Sequence, residues 1–241
     1  MSPGFETIAL RHALYGISLA AALAATLTAP ARADWSATVT AASDYLFNGV
    51  TQTGHKPALQ AGLDWAASSG GLHAGLWGSN VDFDEGTKLE LDGSVGYLVQ
   101  LHPEITLDAG VALYTYHGDD HSSDHNYPEA YLEFGLFGVD LNAWYSYDYF
   151  GLDVGHVILM LNKDFVVNDR LTVSAQLDRS TSLDVDRFAW DDGEDSYLHW
   201  QVTGKYAYSG FDLALGVSGT DLSYSAGDTR VFFTVARTFS L

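Results

Sequence analysis

From Trp35 to Leu241 the chain repeatedly sets an apolar residue at every second position and a small or polar one between, as in Leu59, Ala61, Leu63 and Trp65 against Gln60, Gly62, Asp64 and Ala66. Successive side chains of a strand point to opposite faces, so each such stretch is a ribbon with one greasy and one polar side. About a dozen stretches of this kind specify an all-β chain that closes into a barrel. The open question is which surface of that barrel is greasy.

Three segments answer it. Leu89, Leu91, Val95, Tyr97 and Val99 oppose Lys88, Glu90, Asp92, Ser94 and Gly96; Ile105, Leu107, Ala109, Val111 and Leu113 oppose Thr106, Asp108, Gly110, Ala112 and Tyr114; Leu171, Val173, Ala175 and Leu177 oppose Thr172, Ser174, Gln176 and Asp178. A soluble barrel packs its apolar set inside, where few large side chains fit, whereas lipid accepts a continuous apolar belt all round. The apolar set therefore belongs outside and the charged set lines water.

Connections alternate in length. Short ones at Ser68-Ser69-Gly70-Gly71, His102-Pro103, Phe137-Gly138, Asn168-Asp169 and Ser209-Gly210 carry turn-forming residues. Longer polar links run near Thr53 to Pro57, Asn80 to Thr87, His117 to Asn126, Asp148 to Asp153, Ser180 to Asp195 and Asp221 to Asp228. Short periplasmic turns and long extracellular loops are the rhythm of outer-membrane barrels. Strand starts fall near residues 35, 57, 72, 87, 104, 127, 139, 154, 170, 196, 211 and 229, which gives twelve antiparallel up-and-down strands. Two segments are ambiguous, because Val157 to Leu161 is apolar on both faces and the first segment could run to Gln52 or break near Ser43; ten strands is the alternative count.

Residues 1–33 read as a cleaved signal peptide: Arg11 and His12 precede the apolar run Ala13 to Leu27, and Ala31-Arg32-Ala33 offers a small-residue cleavage site before Asp34. The expected domain plan is thus a signal peptide over 1–33 and a transmembrane barrel over 34–241, exported to the bacterial outer membrane. Losing Arg11, Arg32 and Glu6 from the 11 basic and 31 acidic side chains leaves the mature chain strongly acidic. Phosphate-backbone binding needs Lys and Arg to displace counterions, so nucleic acid is excluded as a partner. With 0 cysteines, disulfide scaffolds, thiol nucleophiles and thiolate metal sites are excluded too.

Aromatic residues Trp35, Tyr45, Phe47, Trp65, Tyr145, Tyr147, Tyr206, Tyr208 and Phe211 gather near segment ends, where membrane barrels carry interfacial girdles. The last segment sets Val231, Phe233, Val235, Arg237 and Phe239 on one face, with Arg237 interrupting the apolar series.

Beyond these patterns, Ser43-Asp44-Tyr45-Leu46-Phe47-Asn48-Gly49-Val50-Thr51-Gln52-Thr53, followed by Lys56-Pro57-Ala58-Leu59-Gln60-Ala61-Gly62-Leu63-Asp64-Trp65, resembles the N-terminal signature of the TorF-type porin family, also called Gcw_chp. Trp77-Gly78-Ser79-Asn80-Val81-Asp82-Phe83, Glu90-Leu91-Asp92, Asn126-Tyr127-Pro128-Glu129-Ala130-Tyr131 and Tyr145-Ser146-Tyr147-Asp148-Tyr149-Phe150-Gly151 extend the likeness, which is strongest from Ser43 to Gly151. The resemblance implies an outer-membrane β-barrel of unassigned cargo. Where the family often carries Arg, this chain has Asn48, a change toward a more cation-friendly pore.

With the polar face as lumen, the inward ionisable set is Asp44, Asp64, Glu90, Asp92, Asp108, Glu129, Glu133, Asp140, Asp148, Asp178 and Asp212 against Lys88 and Lys205. Carboxylate rings in a narrow, poorly screened pore concentrate cations and repel anions, unless these groups pair with one another or are only solvated wall. His117, His121 and His125 are weak metal candidates, since Gly118 and the Asp and Ser between them argue for a solvated loop rather than a helix that would align them. Asp184, Asp186, Asp191, Asp192, Glu194 and Asp195 read as charge that keeps the longest loop solvated, although such acids could also bridge divalent ions to lipopolysaccharide phosphates. His121 with Ser122 or Ser123, and His199 with Ser196, show no orienting partner or oxyanion device, so no enzyme activity is expected.

The resulting expectation is a narrow, passive pore for small polar or cationic solutes, without cofactor, monomeric, and contacting the bilayer and lipopolysaccharide. Small lumen residues Gly62, Gly75, Gly96, Gly110, Ala112, Gly135 and Gly216 favour open space over a plug, or serve strand curvature. The rival readings are a plugged structural or adhesive barrel, a lipid-modifying enzyme and a soluble periplasmic carrier.

Overall fold

Among the described residues of the computed structural model, 34–68, 70–83 and 86–241, twelve strands close into one antiparallel barrel. The export signal expected over 1–33, Ser69 of the first short turn, and part of the link from Asn80 to Thr87 lie outside these residues. The strands are β1 (Asp34–Ala42), β4 (Ala58–Ala66), β5 (Leu72–Asn80), β6 (Leu89–His102), β7 (Ile105–His117), β8 (Tyr127–Leu136), β9 (Val139–Ser146), β10 (His156–Asn168), β11 (Leu171–Ser182), β12 (Ser196–Tyr208), β13 (Phe211–Thr220) and β14 (Arg230–Ser240). Between β1 and β4 the chain forms a small separate hairpin, β2 (Leu46–Phe47) and β3 (Val50–Thr51). Each wall strand pairs with its sequence neighbours, and the seam is β1 against β14 from Ser36 opposite Ser240 to Ala42 opposite Thr234. Closure removes the free edges that an open sheet would present.

The two faces of the ribbon part as the alternation requires. Leu59, Leu76, Val111, Leu132, Leu159, Leu177, Leu215 and Val231 all point outward and are exposed. Moving each such side chain from water into acyl chains is worth about 1.5–3 kcal/mol, which is the physical reason for placing this belt in a bilayer. No helix among the described residues is long and apolar enough to cross a membrane. By parity, each acid of the wall strands (Asp34, Asp64, Glu90, Asp92, Asp108, Glu129, Glu133, Asp140, Asp164, Asp178, Asp212) shares the inward face.

Two ambiguities in the sequence are resolved. The first segment breaks after Ala42, and the doubly apolar stretch of β10 points Ile158 and Met160 into the lumen, both buried, while Leu159 and Leu161 face out. The girdle expectation is corrected for two residues. Trp35, Tyr145, Tyr147, Tyr206, Tyr208 and Phe211 are outward and exposed, but Tyr45 is buried inside the barrel and Phe47 packs with it, because the chain turns inward after β1. Arg237 does face outward; its guanidinium lies 5.0 Å from the Phe211 ring centre and 5.2 Å from that of Phe239, at the short-turn rim. Rings at that level shield the cation, which the water interface then solvates.

Candidate functional site

Among the described residues, the lumen gathers polar groups from every wall strand, and the β2–β3 hairpin reaches into it. Leu46 pairs with Thr51 and Phe47 with Val50 around Asn48-Gly49, whose positive φ values of 45° and 82° make the tight turn that matches strand twist. Gly49 is required a second time by its neighbours: a Cβ there would lie 2.5 Å from Cδ2 of His199 and 2.6 Å from Cγ2 of Thr220. Tyr197 donates its hydroxyl to the Asn48 carbonyl at 3.0 Å. At the base of the hairpin, Asp44 accepts from the hydroxyls of Thr51 at 2.6 Å and Thr53 at 2.9 Å, and its other oxygen lies 3.0 Å from Nδ1 of His55. The loop thus holds its own shape and docks its tip on β12.

Beneath that tip lies a buried relay. Nδ1 of His199 is 2.6 Å from Oδ2 of Asp178, and its Nε2 is 2.9 Å from Oγ of Ser218. The expectation that His199 lacks an orienting partner is therefore corrected: the partner is a carboxylate across the β11–β12 register, and the serine is Ser218 rather than Ser196. A serine, a histidine and a carboxylate in this order can activate a nucleophile, but Ser218 is 1% exposed and the hairpin tip rests on His199. In this arrangement the relay fixes the imidazole on which the hairpin sits.

At the long-loop end, β6, β7 and β8 build a layer of acids and tyrosines. The Tyr116 hydroxyl donates to Glu90 at 3.0 Å and the Tyr114 hydroxyl to Glu129 at 2.7 Å, while Tyr114 and Tyr127 stack with centres 4.5 Å apart. Loop residues roof this layer: Tyr149, Phe150, Val154, Phe83, Phe188 and Trp190 pack on the tyrosines. The expectation that small lumen residues leave open space is corrected at several positions. A Cβ at Gly96 or Gly110 would strike the Tyr131 side chain, at 2.1 Å and 2.4 Å, and one at Gly216 would meet Phe232 at 2.5 Å. These residues are small so that facing rings can lie against the wall.

The short-turn half is less filled. Asp108, Glu133, Asp140, Asp164, Lys205 and Asp212 are all partly exposed there, whereas Glu90, Asp92, Glu129 and Asp178 are buried. Asp108 lies 2.8 Å from Nε2 of His73, and Lys205 lies 3.7 Å from Asp164. Asp64 is also inward and buried. Sequence reasoning missed Asp164, Arg230 and the inward histidines His73 and His156, and it paired His199 with the wrong serine. Parity was the available signal, since each sits in step with a neighbouring inward polar residue on its strand.

Asp44, Asn48, Lys88 and Asp148 stand in connections rather than on wall strands. Lys88 and Lys56 both bond to Asp82, and that double contact holds the Asp82 carboxyl down from 3.8 to about 2. Asp148 accepts from the Asp153 amide at 2.7 Å. The three spaced histidines are not brought together: His117 contacts Thr115, His121 is in solvent beside Asp124, and His125 turns edge-on to Phe83 and Tyr116. Among the described residues no three His, Asp or Glu side chains form a metal-holding group. The acidic loop is cross-linked rather than merely solvated, since Arg187 pairs with Asp153 and Asp184, and Asp191 accepts from the Ser223 amide at 2.7 Å and hydroxyl at 2.8 Å.

A closed twelve-strand barrel with an apolar exterior and a polar, acid-bearing interior is the porin-like class of outer-membrane fold. The chain belongs to the family described as "Bacterial protein of unknown function (Gcw_chp)", whose model matches residues 25–239. The match is to that family as a whole and makes no TorF-type distinction. No curated protein matches the sequence. Among solved structures, the NanC porin superposes with a TM-score of 0.56 at 10% identity, covering 84% of this chain and 98% of its own. The KdgM porin, solved in complex with disordered oligogalacturonate, gives 0.55 at 10% identity, covering 86% and 99%. At that identity the likeness is one of fold.

Proposed function

We propose that this protein is an outer-membrane channel through which small polar or cationic solutes diffuse passively along a narrow acidic lumen. The observation that carries the reading is the excess of inward acid: every acid of the wall strands shares the inward face, where the wall-strand lysines and arginines contribute Lys205 and Arg230, while Lys163, Arg179 and Arg237 lie on the outward face. Carboxylates along a low-dielectric wall hold a negative potential that draws cations and opposes anions. The oligogalacturonate of the KdgM complex is itself an acid-bearing chain, so that cargo does not suit this lumen. Long loops face the cell exterior and short turns the periplasm, with the belt in contact with lipid and the acidic loops near lipopolysaccharide. The protein works as a monomer and without a cofactor.

Reconstitution into planar bilayers tests this. In a potassium chloride gradient the reversal potential should indicate cation preference; anion preference refutes it. A second reading, a non-conducting surface barrel, has one observation in its favour, the aromatic roof at the long-loop end. Membranes that stay silent with verified insertion would favour that alternative.

A further inference from the structure

The wall of the barrel is complete without the β2–β3 hairpin. Ala42 and Ala58, which flank the segment that carries it, are cross-strand partners in the β1–β4 ladder, and the hairpin is a separate two-stranded sheet. Its shape is held from within: besides the bonds to Asp44, the Gln52 amide donates to the Tyr45 carbonyl at 2.7 Å and the Tyr45 amide to the Thr53 hydroxyl oxygen at 3.2 Å. Yet the hairpin spans the lumen. At its base Tyr45 meets Trp77 of β5 with ring centres 5.3 Å apart, and at its tip Gly49 rests on His199 of β12. Around the closed ring β4, β1, β14 and β13 stand between those two strands, so the hairpin crosses close to a full diameter. The aromatic roof covers the rest of the same mouth, and Phe83 packs against both clusters. The tip docks through the Tyr197 hydroxyl on the Asn48 carbonyl and through close packing of Gly49 on His199 and Thr220. That seat is weak beside the ladders that hold the wall, so the tip lifts before any strand parts.

We propose that the β2–β3 hairpin is a gate, which closes the long-loop mouth when docked on β12 and opens a path to the partly wet short-turn half when its tip lifts. The gate deepens the channel reading and rests on it for physiological meaning. The pivot is the base, which stays tied on the long-loop side: the Asp82 amide donates to the Gln52 carbonyl at 2.8 Å, and Lys56 pairs with the Asp82 carboxylate. Tyr197 and His199 are positioning residues for the closed state. The relay from Asp178 through His199 to Ser218 keeps the seat fixed, because an imidazole bonded at both nitrogens is held against turning away from the tip.

The test uses a single introduced thiol, since the chain has 0 cysteines. Ser218 is 1% exposed, bonds to the imidazole under the tip and is nearly isosteric with cysteine. The full-length Ser218→Cys variant in detergent micelles is treated with a charged methanethiosulfonate reagent, and modification is followed by mass. It should go to completion, but about tenfold or more slowly than in the same variant carrying Asn-Gly in place of residues 43–57, as a minor open state of about 10% or less requires. Adding Tyr197→Phe should speed it by about two- to tenfold. Should the shortened chain not fold, Gly49→Ala in the Ser218→Cys background serves as the uncovered reference. Equal rates with and without the hairpin would show that it covers nothing, and a thiol that never reacts while the hairpin is present would show a fixed plug; either result overturns the gate. Currents separate this from the channel reading. A shortened barrel that stays silent in planar bilayers with verified insertion sinks the channel and leaves the hairpin's motion standing, whereas a conducting shortened barrel with an unreactive thiol in the parent sinks the gate and keeps the channel.

Discussion

At the scale of single residues, close approaches rather than charges set the tolerances. Gly49→Ala adds a methyl group where the backbone is left-handed, a penalty of about 1–2 kcal/mol, and drives it into His199. The hairpin tip should unseat while the barrel persists, seen as larger single-channel currents with an unchanged far-ultraviolet spectrum. Tyr197→Phe removes only the bond to the Asn48 carbonyl and should weaken docking by about 0.5–1.5 kcal/mol, read as a smaller rise in the same currents. Asp82 governs an acid-sensitive contact. Its folded value of about 2 lies below the ordinary 3.8, so its contribution is complete above about pH 4 and fades as pH falls toward 2. Asp82→Asn should flatten the pH dependence of hydrogen exchange in the 81–88 loop over that interval. High salt should mimic the variant, because the group is exposed and screened.

The elements show how far periodicity reads. All twelve wall strands begin within about two residues of the positions the alternation marks, because a one-residue slip would put every acid of a strand into lipid. The hairpin was not legible as an inward element: Tyr45 and Phe47 look like girdle residues when only their place near a strand end is known. What sends them inward is the break after Ala42 together with the Asp44 network, neither of which has a period. Ala42 and Ala58 are already cross-strand partners, so a two-residue Asn-Gly turn can replace residues 43–57. That variant should fold, and its conductance should exceed the parent's several-fold; an unchanged current would show that the hairpin does not obstruct the lumen.

For the whole molecule, the order of the chain determined a great deal by itself. A period of two, sustained over twelve stretches with alternating short and long links, admits one closed sheet with an oily outside, since lipid tolerates no free strand edge and no outward carboxylate. The inward acids follow from the same reading, whereas the family likeness rests on the particular residues between Ser43 and Gly151. Which acids remain partly wet, which are sealed beneath tyrosines, and that His199 lies between Asp178 and Ser218 were decided by tertiary structure alone. These facts depend on which side chains the register sets side by side on neighbouring strands and on which loop residues fold over them, and alternation fixes only the face on which a side chain lies. It says nothing of what stands opposite once the sheet has closed and the loops have folded into its mouth.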